Sequence, residues 1–205
     1  MIVSYAKNFI FLKTRKTAST SHEIALSSIC EAKDIITPIR MKDEEIRKKM
    51  NFRGPQNIKI PTKYLSFRSN VVSKLGLKEY NYWNHMPGRE AKKLIDSDFW
   101  NGSFKFCFER NPWDKVLTNY QWKIKERLEL SFDEYLDSEI IMEVSSKNIY
   151  VDEFNNVLVD KIYKYEEMKD AFIDISDRLN LNRPLDISSI RAKGEFRKIE
   201  SDWNI

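Results

Sequence analysis

The chain has 205 residues, 41% hydrophobic and 13% aromatic, which is enough for one α/β domain with a substantial core. Its 35 basic and 31 acidic residues leave a net charge of +4, too small an excess to argue for general nucleic-acid binding, and the 32% charged fraction speaks for a soluble globular chain. No apolar run approaches the roughly 18 residues of a membrane span. Met1 to Lys7 lacks the basic-then-apolar shape of a signal peptide, so a cytoplasmic protein is expected.

The first apolar run, Phe9 to Leu12, predicts a buried strand. It leads through Lys13-Thr14-Arg15-Lys16-Thr17-Ala18-Ser19-Thr20-Ser21 into a helix expected from about Thr20 to Ala32. A strand, a hydroxyl-rich basic turn and a helix N-terminus are the parts of a phosphate cradle, because turn amides and the helix dipole favour an anion at one spot. Lys16 adds a charge, and Thr17, Ser19, Thr20 and Ser21 add short hydroxyl donors. The run is not a Walker A loop, which needs glycines that are missing between Phe9 and Ser21. The plainer reading is an ordinary helix capped by Ser19 or Thr20.

Further along, Ile35 to Thr37 reads as a short strand and Met41 to Met50 as a charged helix. Gly54-Pro55 and Pro61 mark a loop. The basic residues of this region, Arg47, Lys48, Lys49, Arg53, Lys59, Lys63 and Arg68, read first as solvated surface and second as the lining of an acceptor site. Residues 33–80 form a variable stretch within a single domain spanning 1–205. His85 stands at a turn before Pro87-Gly88, which fits the entrance of a helix running from Arg89 to about Ile95. His22, the other histidine, is expected on a helix surface.

Phe104 to Arg110 is the second strong strand signal, stopped by Asn111-Pro112 at the start of a helix reaching about Leu128. A second strand–turn–helix unit predicts a mainly parallel sheet with anions bound at the carboxyl ends of its strands. Asn148 to Tyr165 reads as a hairpin and a strand, and Met168, Phe172, Ile175 and Leu179 as the core stripe of a helix. Cys30 and Cys107 are read as reduced core thiols.

Several of these pieces resemble one family in order. Lys16 to Ser21 resembles the phosphosulfate loop of sulfotransferases that use PAPS (3′-phosphoadenosine 5′-phosphosulfate). Phe104 to Trp122 resembles the second cofactor motif of the carbohydrate branch, heparan- and chondroitin-type, and Arg191-Ala192-Lys193-Gly194 is similar to its basic glycine loop. The resemblance implies a three-layer, P-loop-like α/β fold with a central, mainly parallel sheet flanked by helices. It implies PAPS as donor, with PAP as product and no metal. The cofactor would be held by Lys13, Lys16, Thr17, Ala18, Ser19, Thr20, Ser21, Arg110, Thr118, Arg191, Lys193 and Gly194. Lys16 would stabilise the leaving phosphate and His85 would be the general base, with Glu23 and Glu109 weaker candidates. The partner would be an acceptor, a glycan or a small hydroxylated metabolite, with no nucleic acid and no membrane span; the oligomeric state is left open. An ATP-dependent kinase and a non-catalytic nucleotide- or glycan-binding module are the alternatives.

Overall fold

The computed structural model describes residues 1–76, 79–126, 129–188 and 190. Strand β1 (Ile2–Ser4) turns back into β2 (Phe9–Phe11), with Val3 opposite Ile10. There follow α1 (Ser19–Ser27), β3 (Ile35–Ile36), α2 (Met41–Lys49), α3 (Phe67–Lys74), α4 (Gly88–Leu94) and α5 (Ser97–Gly102). The second half holds β4 (Phe104–Glu109), α6 (Pro112–Lys125), α7 (Phe132–Leu136), α8 (Lys147–Tyr150), β5 (Lys161–Lys164) and α9 (Met168–Arg178).

Among the described residues five strands lie in the order β3-β1-β2-β4-β5. β2, β4 and β5 run parallel, while β1 runs against both of its neighbours. The sheet is therefore mixed and only partly parallel, which corrects the mainly parallel expectation. The reason is local: the short turn between Ser4 and Phe9 can only reverse the chain, since a parallel neighbour needs a long crossover.

The period of two along the strands sorts side chains onto two faces. Phe9, Phe11, Phe106, Phe108 and Ile36 face α1 and α9, where Ile24, Phe172 and Ile175 complete one core. Val3, Ile10, Leu12, Cys107 and Ile35 face the other way, onto Tyr82, Met86, Ala91, Trp100 and Ile149. Cys30 and Cys107 are buried free thiols, and burial pushes both well above the usual thiol range. Among the described residues no helix is long and apolar enough to cross a membrane.

Two elements differ from expectation. α1 stops at Ser27, short of Ala32. The hairpin after Asn148 shrinks to one bridge, Val151 to Val157, because Asp152 accepts from the Phe154 and Asn156 amides and curls the segment into a turn.

α4 approaches the sheet closely at its first residue. A Cβ on Gly88 would stand 2.8 Å from the Ile149 carbonyl oxygen and 2.9 Å from Leu12 Cδ1. Gly88→Val is expected to destabilise the protein by about 1–3 kcal/mol, since backbone cannot yield cheaply there. Denaturant unfolding that matches the parent would refute this close contact.

Candidate active site

The cleft opens where β2, β4 and β5 end, with a volume of about 1720 Å³. Its lining brings together Lys13, Lys16, Ala18, Ser19, Thr20 and Ser21 from the first loop with His85, Arg110 and Thr118. These are most of the residues singled out from sequence. Arg191, Lys193 and Gly194 lie outside the described residues.

The first loop is braced from beneath. Thr14 Oγ1 donates to the Phe108 carbonyl, and Thr17 Oγ1, 2.9 Å away, then donates to Thr14. The Thr17 hydroxyl thus turns into the core, and Thr17 is fully buried rather than facing the cleft. Ser146 Oγ accepts from the Arg15 amide at 2.9 Å and from Lys115 Nζ at 3.2 Å. Lys115 also pairs with Glu109 at 2.8 Å, which occupies that carboxylate and leaves it poorly placed as a base.

Above this brace Lys16 (φ 59°) and Ala18 (φ 53°) take left-handed backbone conformations. Ala18 holds the N-cap position of α1, with no side-chain cap and no acidic residue in the first turn. This rules out the plain capped helix, in which Ser19 or Thr20 would have satisfied the first amides. Left-handed residues that turn successive amides to one side form an anion-binding concavity, here continued by a helix dipole.

Arg110 stands elsewhere on the same cleft wall. Its Nη1 donates to Thr118 Oγ1 at 3.3 Å, Nη2 lies 3.6 Å from Asp114, and the guanidinium stands 4.5 Å from the Tyr165 ring centroid. Arg110 Nε is buried with no hydrogen-bond partner among the described residues. The pairing with Thr118, eight residues on, follows from α6 starting at Pro112 with Asn111 accepting from the Trp113 amide.

His85 has φ 57°, and its turn is fixed by the buried Tyr82 and Met86 on either side. Its Nδ1 lies 2.8 Å from the Lys13 carbonyl oxygen. A carbonyl only accepts, so Nδ1 carries the proton and Nε2 is left with a lone pair. Burial pushes the imidazole down to about 4, with the Lys13 bond raising it and the charges of Lys13 and Arg15 lowering it. His85 is neutral at physiological pH.

His22 is not a surface residue. It is fully buried, with its ring 4.0 Å from Phe108 and 5.5 Å from Phe172, because α1 is packed on every side. Lys13 is buried too, its Nζ 2.6 Å from Glu23. Burial alone would raise the Glu23 carboxyl, but the Met1 amino group, Lys13 and Arg47 outweigh it and hold Glu23 below the usual range. Glu23 is thereby tied up and cannot serve as a free base.

Trp122 was not anticipated. It lies one helical turn beyond Thr118, on the cleft side of α6, with Lys16 Nζ 4.8 Å and the Arg40 guanidinium 4.3 Å from its ring centroid. The i, i+4 relation to Thr118 is the signal that could have found it. Ile39, Arg40 and Asp43 also line the cleft, so part of the variable stretch does reach it.

Neither a family model nor a solved structure matches the chain. Over 119 residues it is 30% identical to an uncharacterized protein of Archaeoglobus fulgidus, a match that covers 56% of this chain and 99% of that protein. The chain belongs to the family of that archaeal protein. The relative brings no activity with it, so the chemistry rests on the cleft.

Proposed function

We propose that the protein is a sulfotransferase that moves a sulfuryl group from PAPS to an acceptor hydroxyl, on a glycan or a small hydroxylated metabolite. The observation that carries this reading is the uncapped α1 N-terminus opening into the same cleft as the Arg110–Thr118 pair and His85. A nucleotide with anions at two separate places fits this lining, and the orphaned Arg110 Nε supplies a buried donor for one of them. A P-loop-like origin of the fold goes with this reading.

When bound, PAPS supplies an activated sulfuryl group whose leaving group is the 5′-phosphate. The turn amides and first helical turn hold the phosphosulfate, and Lys16 offsets charge on the oxygen that links sulfate to phosphate. Arg110 and Thr118 hold the 3′-phosphate by charge-assisted hydrogen bonds. His85 Nε2 takes the proton of the acceptor hydroxyl. Ile39, Arg40 and Asp43 border the acceptor.

Adenosine 3′,5′-bisphosphate is expected to raise the melting temperature, on the order of 5–10 °C at a hundredfold over Kd. A shift only with ATP and magnesium would replace this reading by a kinase. Arg110→Ala should weaken the bisphosphate about 10- to 100-fold, as loss of bonds to a charged group does. Its affinity for adenosine 5′-phosphosulfate, which lacks the 3′-phosphate, should stay unchanged in calorimetry. Equal losses for both nucleotides would move Arg110 away from the 3′-phosphate.

A further inference from the structure

Beneath the cleft lies a cluster of buried charge that the proposed chemistry does not use. Glu23 sits at its centre, fully buried on α1. Its Oε2 receives Lys13 Nζ at 2.6 Å. Its Oε1 is 3.1 Å from Thr37 Oγ1, 3.3 Å from the Met1 nitrogen and 3.9 Å from Arg47 Nη2. Arg47 comes from α2 and is itself fully buried, with Nη1 held 3.2 Å from the Glu44 carboxylate and Nε and Nη2 without hydrogen-bond partners among the described residues.

Two paths run from this cluster to His85. Lys13, whose side chain Glu23 holds, is the residue whose carbonyl receives His85 Nδ1–H. Thr37 Oγ1, whose single proton goes to one acceptor at a time, also lies 3.0 Å from Oδ1 of Asn84, the residue before His85, and so links Glu23 and Asn84 as alternative partners, while Asn84 Nδ2 donates to the Pro38 carbonyl. His85 stands in a left-handed backbone conformation, which a non-glycine residue keeps only where its surroundings fix it.

We propose that the Glu23 cluster is a positioning device for His85: Arg47 and Lys13 fix Glu23, and the Lys13 carbonyl and Asn84 then hold His85 in the tautomer that leaves Nε2 open to the cleft. Removing the Glu23 carboxylate leaves Lys13 and Arg47 uncompensated, and the freed Lys13 ammonium can relieve this by turning into the cleft that its residue already lines. Removing Arg47 strands Glu44 and lets Glu23, with Lys13 still paired to it, shift. Either way the Lys13 carbonyl moves, and the imidazole is released. Arg47 and Glu23 are positioning residues, since neither lines the cleft. Only the meaning of the open Nε2 rests on the sulfotransferase reading; the tautomer does not.

The chain has two histidines, so ring-nitrogen NMR at neutral pH reads each of them directly. The parent should show His85 as the Nδ1–H form. In Glu23→Gln and Arg47→Met the His85 signals should move toward the Nε2–H form or average between the two, and Arg47→Lys should restore the parent pattern in part. If Glu23→Gln does not fold, Thr37→Val, which removes a neutral partner of Glu23, takes its place with the same expectation. Variants that lose melting temperature yet keep His85 as the Nδ1–H form would overturn the proposal and leave the cluster with a purely structural role. Bisphosphate binding by the parent, measured on the same samples, tests the sulfotransferase reading separately.

Discussion

Replacing His85 by Asn is expected to lower turnover with PAPS and an acceptor about a hundredfold, with the fold and the bisphosphate affinity unchanged. Asn tolerates the left-handed backbone that His85 adopts (φ 57°), so the turn survives the change. The carboxamide of Asn also offers an N–H to the Lys13 carbonyl, but it has no basic nitrogen to place where Nε2 stands. A positioned general base contributes roughly 10²- to 10⁴-fold, and the low end suits a base that burial has weakened to about 4. Lys16→Ala should cost a similar factor for a different reason, loss of charge opposite the leaving oxygen. The two variants are separable by acceptor, because a more acidic hydroxyl needs its base less and should recover rate in His85→Asn alone. Near-parental turnover in either variant would remove that residue from the mechanism.

Much of this site could be read from sequence wherever the signal was local. Phe104 to Glu109 alternates into two cores, and Asn111-Pro112 sets both the end of β4 and the start of α6, which brings Arg110 and Thr118 together; that these two form a pair is what the family resemblance implies. The Lys16-to-Ser21 turn was equally legible, but its state was not. Hydroxyl residues cap helices more often than they bind phosphate, and only the backbone of Ala18 shows that no side chain caps α1. What could not be read depends on distant partners. β1 is three residues long and becomes a strand by pairing with β2 and β3. Arg47 sits in a run of surface-looking charges, and it is buried because Glu44 and Glu23 meet it there. The expectation of His22 on a helix surface fails because the cleft, the sheet and α9 leave α1 no solvated face.

The buried His22 and the half-buried His85 make the protein sensitive to acid. His22 is pushed down to about 3, first by burial and then by the charge of Lys13, and His85 to about 4. In the unfolded chain both would titrate near 6.5. Between about pH 6.5 and pH 4 the unfolded chain therefore binds protons that the folded chain refuses, so stability falls as the pH drops. At about 1.4 kcal/mol per pH unit and site, lowering the pH from 6.5 to 4.5 should remove roughly 5 kcal/mol. That corresponds to a fall of about 10–20 °C in melting temperature for a chain of this size. Carboxylates contribute little above pH 4.5, but the Met1 amino group, which burial lowers to about 5, adds a loss in the same direction. His22→Phe should lower the slope by about a third, because it removes one of three depressed groups and replaces a ring whose Nδ1 has no partner among the described residues by one that suits the surrounding Phe11, Phe108 and Phe172. A melting temperature that stays flat between pH 6.5 and 4.5, or a His22→Phe slope equal to the parent's, would mean that the two imidazoles keep near-ordinary affinities for protons. The neutral His85 that the proton transfer requires would then be only partly populated below neutrality, so this measurement on stability also bears on the chemistry of the cleft.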